Sequence, residues 1–566
     1  MAKFKKVSDV SVTNPTSRFV EKENYIQLQA LSVSYDFRSA KLKEWGIQRL
    51  KISAIGNDIF TSSTVRMERG TSYPFARTFS LAAQNTFLSD NTMKKLINKT
   101  IILSLFVALT GCNDWLDVSP KADMKAEDLF GTEAGFRDAL VGVYALMCGT
   151  NSYGRDLTYG YLDVLAQYYN SPLKTTSSGY EHNFKNAAEY KYTEKTEESR
   201  ISSIWSNHFS AVANINQAML FIDENKGVFT SPEVHDVYKG EFLALRAFLH
   251  FDILRLFAPS AAMNNNKGLD ALAIPYVDVF TNIAQPQLTV KEVLKKIETD
   301  LLAAKQLMKG KEEFKVTDTS DPLYNRKQRM NYYAVTALLA RVYLWGNDKE
   351  AALKEAKEII GEAGGESPAS YELANSAATT SDPMFNKELI FTLDVQKLKD
   401  NSDIYFTESF SSTSNILTMS SKGKTNIFNG SGLDNEFRNY WITPYSDGSS
   451  FVLKKYTGVN YIPMFKISEL YLIAAECAQE KEAYDYLNKL RNHRGLSSIA
   501  PTDDLAGYIF QEYRREFIGE GQMFFYYKRK AMETIGAEDN IAHQDVNAVY
   551  NLPIPTVEID FGNIKN

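Results

Sequence analysis

The chain has 566 residues, a formal net charge of −6 and 44% apolar residues, an ordinary balance for a folded globular protein. With 16 Pro, 30 Gly and no long biased tract, extensive disorder is excluded. Three cysteines exclude a disulfide framework and six scattered histidines a His-rich metal site, so no metal and no cofactor is expected.

The charge is unevenly spread. Residues 1–87 carry 13 Lys/Arg against 7 Asp/Glu, whereas the 455 residues after position 111 hold a balance of −14. The basic piece reads as β. Ile26, Leu28 and Ala30 alternate, then Leu31, Val33, Tyr35 and Phe37 alternate after a one-residue slip. Leu50, Ile52 and Ala54 follow, and Phe79, Leu81, Ala83 and Phe87 close the segment. Period-two strands with aromatic ends suit an outer-membrane barrel, one face to lipid and one to the lumen. Tyr25-Ile-Gln-Leu-Gln-Ala-Leu-Ser-Val-Ser-Tyr, Gly56-Asn-Asp-Ile-Phe-Thr and Tyr73-Pro-Phe-Ala-Arg-Thr-Phe-Ser-Leu resemble the end of SusC-type TonB-dependent transporters. A small soluble β domain is the other reading. Three strands alone cannot close a barrel, because lipid does not tolerate open edges.

Residues 93–111 have the parts of a secretion signal. Lys94, Lys95 and Lys99 precede the apolar run Ile101–Leu109, and Leu109-Thr-Gly-Cys112 follows. The run is too short to span a hydrocarbon core of ~30 Å. Leu-Thr-Gly-Cys resembles the bacterial lipobox, which places cleavage between Gly111 and Cys112 and lipid on the Cys112 thiol. A signal that begins at residue 93 is in an unusual place. The simplest account is that two adjacent reading frames have been joined.

From Cys112 the apolar period changes to 3.6. Phe136, Leu140, Val143 and Met147 form one stripe, with Thr132 placed to cap it. Phe242, Leu245, Leu249, Ile253 and Leu256 form another, and Val290, Val293, Ile297 and Leu301 a third. The segments starting at Leu338 and Leu470 read as tetratricopeptide-like helix hairpins, with Ala337, Ala340, Ala474 and Ala475 permitting close approach. Residues 112–566 are therefore expected to form an all-α repeat scaffold, in halves of about 112–310 and 320–566. Positions 365–462 lack this period and read as long loops, where binding concentrates.

Five ordered phrases make the resemblance specific. Tyr238-Lys-Gly-Glu-Phe-Leu-Ala-Leu-Arg-Ala-Phe-Leu-His-Phe and Ile462-Pro-Met-Phe-Lys-Ile-Ser-Glu-Leu-Tyr-Leu-Ile-Ala-Ala-Glu resemble SusD/RagB-family helices. So do Leu487-Asn-Lys-Leu-Arg-Asn-His-Arg-Gly, Gln511-Glu-Tyr-Arg-Arg-Glu-Phe-Ile-Gly-Glu-Gly and Leu552-Pro-Ile-Pro-Thr-Val-Glu-Ile. The resemblance implies a lipid-anchored outer-membrane protein facing the cell exterior. Such a protein captures oligosaccharides, or in some members peptides, and passes them to a SusC-type TonB-dependent transporter. A lipid-anchored glycan-processing enzyme and a scaffold without a small ligand are the rival readings.

No residue pattern asks to be called catalytic. There is no phosphate-binding glycine loop, no G-x-S-x-G elbow and no H-E-x-x-H helix. Arg514, Arg515, Glu516 and Glu520 read as structural ion pairs, His250 as a packed core residue, and Cys148 and Cys477 as small buried hydrophobes. The candidate ligand site is the loop holding Arg438, Asn439, Tyr440, Trp441 and Tyr445, where aromatic planes meet polar groups. Trp441 and Tyr440 serve there either as a platform or as anchors pinning the loop, and the Tyr153–Tyr169 aromatics stand next in line. The −14 balance favours a neutral oligomer over a polyanion unless a local basic patch intervenes.

The lipobox makes a direct prediction. Intact-mass measurement of membrane-purified protein gives a chain starting at acylated Cys112, and Cys112→Ala releases it from membranes. An unmodified chain beginning at Met1 refutes the assignment.

Overall fold

The computed structural model describes residues 25–37, 47–63, 78–87, 126–173, 181–311, 318–363, 365, 367–369, 371–375, 382–407, 415–428, 435–536, 541–542, 545–562 and 564. The chain divides into two compact units, Met1–Lys121 and Ala122–Asn566. The signal segment 93–111 and Cys112 lie outside the described residues.

The first unit is an antiparallel meander of β1 (Tyr25–Phe37), β2 (Ile47–Ser63) and β3 (Thr78–Phe87), in the order β1-β2-β3. The slip in the apolar alternation is a real irregularity. The β1/β2 register shifts between Leu28 and Ala30, which moves the next apolar set to one face. Leu31, Val33, Tyr35 and Phe37 all lie exposed on that face.

The second unit is helical. Helix α1 (Glu133–Met147) starts where the sequence placed it, with the Thr132 hydroxyl accepting the Gly135 N–H at 3.1 Å. Its Phe136, Leu140, Val143 and Met147 stripe is fully buried. Helices α2 (Lys195–Phe221), α3 (Pro232–Phe257), α4 (Val290–Met308), α5 (Tyr332–Trp345) and α6 (Lys349–Ile360) follow. Each packs on its predecessor, so the helices stack as hairpin layers. A capping box of Thr289 and Glu292 starts α4. Gly240 lets α3 meet α4 closely, since a Cβ there would sit 2.9 Å from the Met308 side chain.

Helix α3 departs from the sequence reading. Its stripe is buried as expected, but so is every other residue from Gly240 to Phe257. It is a central helix without a solvent face, so its charges are paired instead of solvated. Glu241 meets Arg326 at 2.7 Å, and Arg246 is bidentate to Asp300 at 2.7 and 2.8 Å.

The later half begins with β4 (Leu389–Asp394), then the short strands β5 (Met419–Ser420), β6 (Ile442–Pro444) and β7 (Ser450–Leu453), then β8 (Tyr461–Lys466). β4 pairs with β8, and β5-β7-β6 form a small antiparallel sheet. β8 runs straight into α7 (Ile467–Cys477), which turns into α8 (Glu480–His493). The two tetratricopeptide-like hairpins are thus α5/α6 and α7/α8, as the sequence indicates. α6 packs on α7, and Arg341 of α5 reaches Glu469 of α7 through a buried bidentate pair at 2.6 and 2.7 Å. Helices α9 (Leu505–Glu516) and α10 (Gln522–Arg529) complete the frame. Among the described residues, no helix is long and apolar enough to cross a membrane.

Tyrosines tie distant parts of this body together. The Tyr168 hydroxyl donates to Arg514 O at 2.7 Å and Tyr192 to Val549 O at 2.6 Å. Tyr456 donates to Gly519 O at 2.7 Å and Tyr550 to Met532 O at 2.6 Å. Cys477 is buried, and burial pushes its thiol up to about 12. Cys148 is half-buried, with its thiol donating to Asp394 O.

His250 is a core residue. Its Nδ1 lies 2.8 Å from Arg246 O, and its Nε2 accepts the Val277 N–H at 2.9 Å, an arrangement that requires the neutral ring. Burial pushes it down to about 3 and His182 to about 4, from an ordinary value of 6.5. A group with a lowered native value stabilises fully above its unfolded value and loses that contribution as pH falls. The melting temperature therefore declines as pH drops from about 6.5 towards about 4. A His250→Gln chain starts lower at neutral pH and loses less over that interval; an equal slope would remove His250 from the account.

Candidate functional site

The loop singled out by sequence sits directly on the frame just described. Phe437–Trp441 is a 3-10 turn, capped by the Glu436 carboxylate at Arg438 N, and it leads into the β6/β7 hairpin. Gly448, with φ of +70°, closes that hairpin, while Asp447 accepts the Ser449 and Ser450 N–H groups at 2.9 and 2.7 Å.

Two of the five expected ligand residues point inward. Trp441 is 2% exposed, donates its indole N–H to Pro383 O at 2.8 Å, and carries the Lys455 ammonium 3.7 Å from its ring centre. Phe385 packs against it at 5.2 Å. Arg438 has no exposed surface and is bound by three carboxylates, Glu436 at 2.6 Å, Glu512 at 2.5 Å and Glu516 at 2.8 Å. Neither can touch a ligand from these positions: of the two readings open for Trp441 the structure supports the loop anchor, and the ligand-binding role expected of Arg438 is corrected to a structural one. The reserve candidates fare likewise. Tyr153, Tyr159, Tyr161, Tyr168 and Tyr169 are all buried, Tyr153 through a 2.5 Å hydrogen bond to Asp252.

What remains at the surface is smaller. Tyr440 is 38% exposed, with the Lys454 ammonium 3.5 Å from its ring centre. Asn439 and Tyr445 are half-buried, and the Asn439 Oδ1 accepts no hydrogen bond among the described residues. Lys424 over Phe451 at 4.3 Å repeats the ring-and-lysine pairing on the same small sheet. Sequence inspection named neither lysine. The signal for Lys454 is its place directly after Leu453, whose pairing with Ile442 sets the next residue beside the Phe437–Trp441 turn. Lys424 carries no comparable local signal.

Beneath the loop lies a connected ionic network. Arg494 binds Glu388 at 2.7 Å and Glu516 at 2.9 Å, and Arg491 and Arg515 each bind Glu512 at 2.8 Å. Lys455 and Lys466 share Glu520 at 2.6 and 2.8 Å. Burial alone would raise the Glu516 carboxyl, but Arg494, Lys466 and Arg438 hold it well below the usual range. Asp163 adjoins this region, accepting the Gly519 and Gly521 N–H groups at 2.7 and 2.9 Å, and burial pushes it up to about 8. Of the four residues read as structural ion pairs, Arg515, Glu516 and Glu520 are therefore saturated with partners, whereas Arg514 makes no ion pair among the described residues and its buried Nε finds no acceptor there.

Open cavities lie elsewhere among the described residues. One of about 390 Å³ is lined by Trp345, Asn347, Lys349, Glu476, Arg529 and Lys530 among others. Another of about 280 Å³ includes Trp205, Phe209, Ile283, Gln285 and Glu558.

Comparison with known proteins fits this architecture. The family described as "Starch-binding associating with outer membrane" matches residues 114–344, and the SusD family matches residues 387–559. SusD-like protein P2 of Formosa agariphila is 24% identical over 540 residues, covering 82% of this chain and 97% of that protein. A SusD superfamily structure from Bacteroides thetaiotaomicron superposes with a TM-score of 0.59 at 21% identity, covering 77% of this chain and 99% of its own. A laminarin-binding SusD-like protein gives 0.58 at 20% identity, covering 77% and 98%. With both halves matched and the helical layers shared, the chain belongs to the SusD/RagB family.

The anchoring assignment has a quantitative consequence. Trp441→Ala costs about 3–5 kcal/mol of stability, as for other buried Trp truncations. Arg438→Ala costs about 3–5 kcal/mol, because three carboxylates lose their cation. Tyr440→Ala stays within about 0.5 kcal/mol. Denaturant unfolding ranks the three, and a destabilised Tyr440→Ala beside an unaffected Trp441→Ala would reverse the assignment.

Proposed function

We propose that this chain is a non-enzymatic, surface-anchored glycan-capture protein that hands neutral oligosaccharides to a SusC-type TonB-dependent transporter. The observation that carries the reading is family membership over both halves of the acidic body, joined to a laminarin-binding structural relative. Anchorage through lipid on Cys112 follows from the lipobox and holds the body at the outer membrane. The exposed apolar face of β1 supports reading residues 1–87 as the tail of the partner barrel. In this reading Tyr440, Asn439 and Tyr445 form the accessible part of the capture surface. The saturated network beneath them keeps that surface rigid and has no carboxylate to spare for acid–base work.

The test is calorimetric titration of the detergent-solubilised chain with neutral glucans, laminarin among them. Saturable binding is expected, with the glycan recovered unchanged by mass spectrometry. Tyr440→Ala weakens binding by about 1–3 kcal/mol, as at other hot spots, without moving the melting temperature. Shortened products would establish an enzyme, and a failure to bind any glycan would overturn the capture reading.

A further inference from the structure

We propose that the 390 Å³ cavity between the end of α5, the start of α6 and the ends of α7 and α10 is a separate binding site for a small hydroxylated oxyanion, such as an acidic sugar. The volume falls at the low end of small-molecule pockets, about 300–1,000 Å³, which fits one ring better than a polymer. Three cations line it, Lys349, Arg529 and Lys530, against the single carboxylate of Glu476. Arg529 occupies both Glu476 oxygens at 2.6 and 2.7 Å, and Lys530 shares one of them at 2.6 Å. That carboxylate is thus fully engaged and the surplus charge in the cavity is positive. Lys349 makes no ion pair among the described residues. Its neighbour Asp348 is committed to capping α6 through the Ala351 N–H at 3.0 Å.

A second observation points the same way. Trp345 lines the cavity, is 2% exposed, and has an indole N–H with no acceptor among the described residues. Edge contacts with Phe251 and Phe525 hold its ring in place. A buried donor without a partner is costly and rare in a folded protein, and this one belongs to a ring in the wall of the cavity. Asn347, held at φ 64° in the α5/α6 turn, adds an amide suited to hydroxyls. The site is a local reversal of sign on an acidic body. It does not rest on the neutral-glycan reading above.

The experiment titrates the full chain with galacturonate, galactose 6-sulfate and neutral galactose, following tryptophan fluorescence and heat. One or both acids bind saturably and at least tenfold more tightly than galactose, and binding weakens as salt rises. The tighter acid identifies carboxylate or sulfate as the natural group. A Lys349→Ala/Lys530→Ala chain, altered only at exposed side chains, loses at least tenfold in affinity with an unchanged melting temperature. Trp345→Phe removes the donor while keeping an aromatic ring, and it also weakens binding. No saturable binding of either acid, equal binding of galactose, or full affinity in the double-lysine variant overturns the proposal. Loss of acid binding beside intact neutral-glycan capture refutes this site alone.

Discussion

Six cations and five glutamates buried in one network impose the strictest constraint on this molecule. Arg438, Arg491, Arg494, Arg515, Lys455 and Lys466 are each matched by Glu388, Glu436, Glu512, Glu516 or Glu520 at hydrogen-bond distance. Burying so many charges costs several kcal/mol per ion unless nearly every lone pair and proton finds a partner. The elements that supply them have little freedom to shift independently. They come from the turn entering β4, the Phe437–Trp441 loop, β8, α8 and α9, segments far apart in sequence. The network thus fixes where the irregular loops leave the helical frame, and with that the position of Tyr440 at the surface.

Much of the frame was legible because helices carry their own period. The α1 and α4 stripes and the Thr132 cap follow from spacing that does not depend on distant residues. The two hairpins follow from small residues flanking a short turn. Helix α3 was legible only in part. A stripe is visible when the opposite face is polar, and here the opposite face is charged but buried through partners 54 and 85 residues away. No local pattern encodes that.

The loop was harder still. An aromatic residue on an irregular segment can turn toward ligand or toward core, and composition is the same in both cases. Trp441 turned inward because a carbonyl at Pro383 and an ammonium at Lys455 complete its polar and π surfaces. Both partners are remote in sequence or lack a periodic signal. The ion-pair reading held for Arg515, Glu516 and Glu520 and failed for Arg514. Only Arg515 with Glu512 pairs at helical spacing, while Glu516 and Glu520 meet Arg438, Arg494, Lys455 and Lys466 from other elements.

The tyrosine ties carry a consequence for how this body comes apart. The chain holds 32 Tyr against 5 Trp, and among the described residues two phenols bond carbonyls more than 300 residues away, Tyr168 at Arg514 and Tyr192 at Val549. Such bonds do over long range what disulfides do in secreted domains, but with a proton in place of a covalent link. Burial raises these phenols well above their ordinary value of 10. Their contribution is complete below that value and is lost as pH rises beyond it. A body stitched by phenols is insensitive to reductants and vulnerable to alkali, where ionisation and unfolding of the separate layers become a single event.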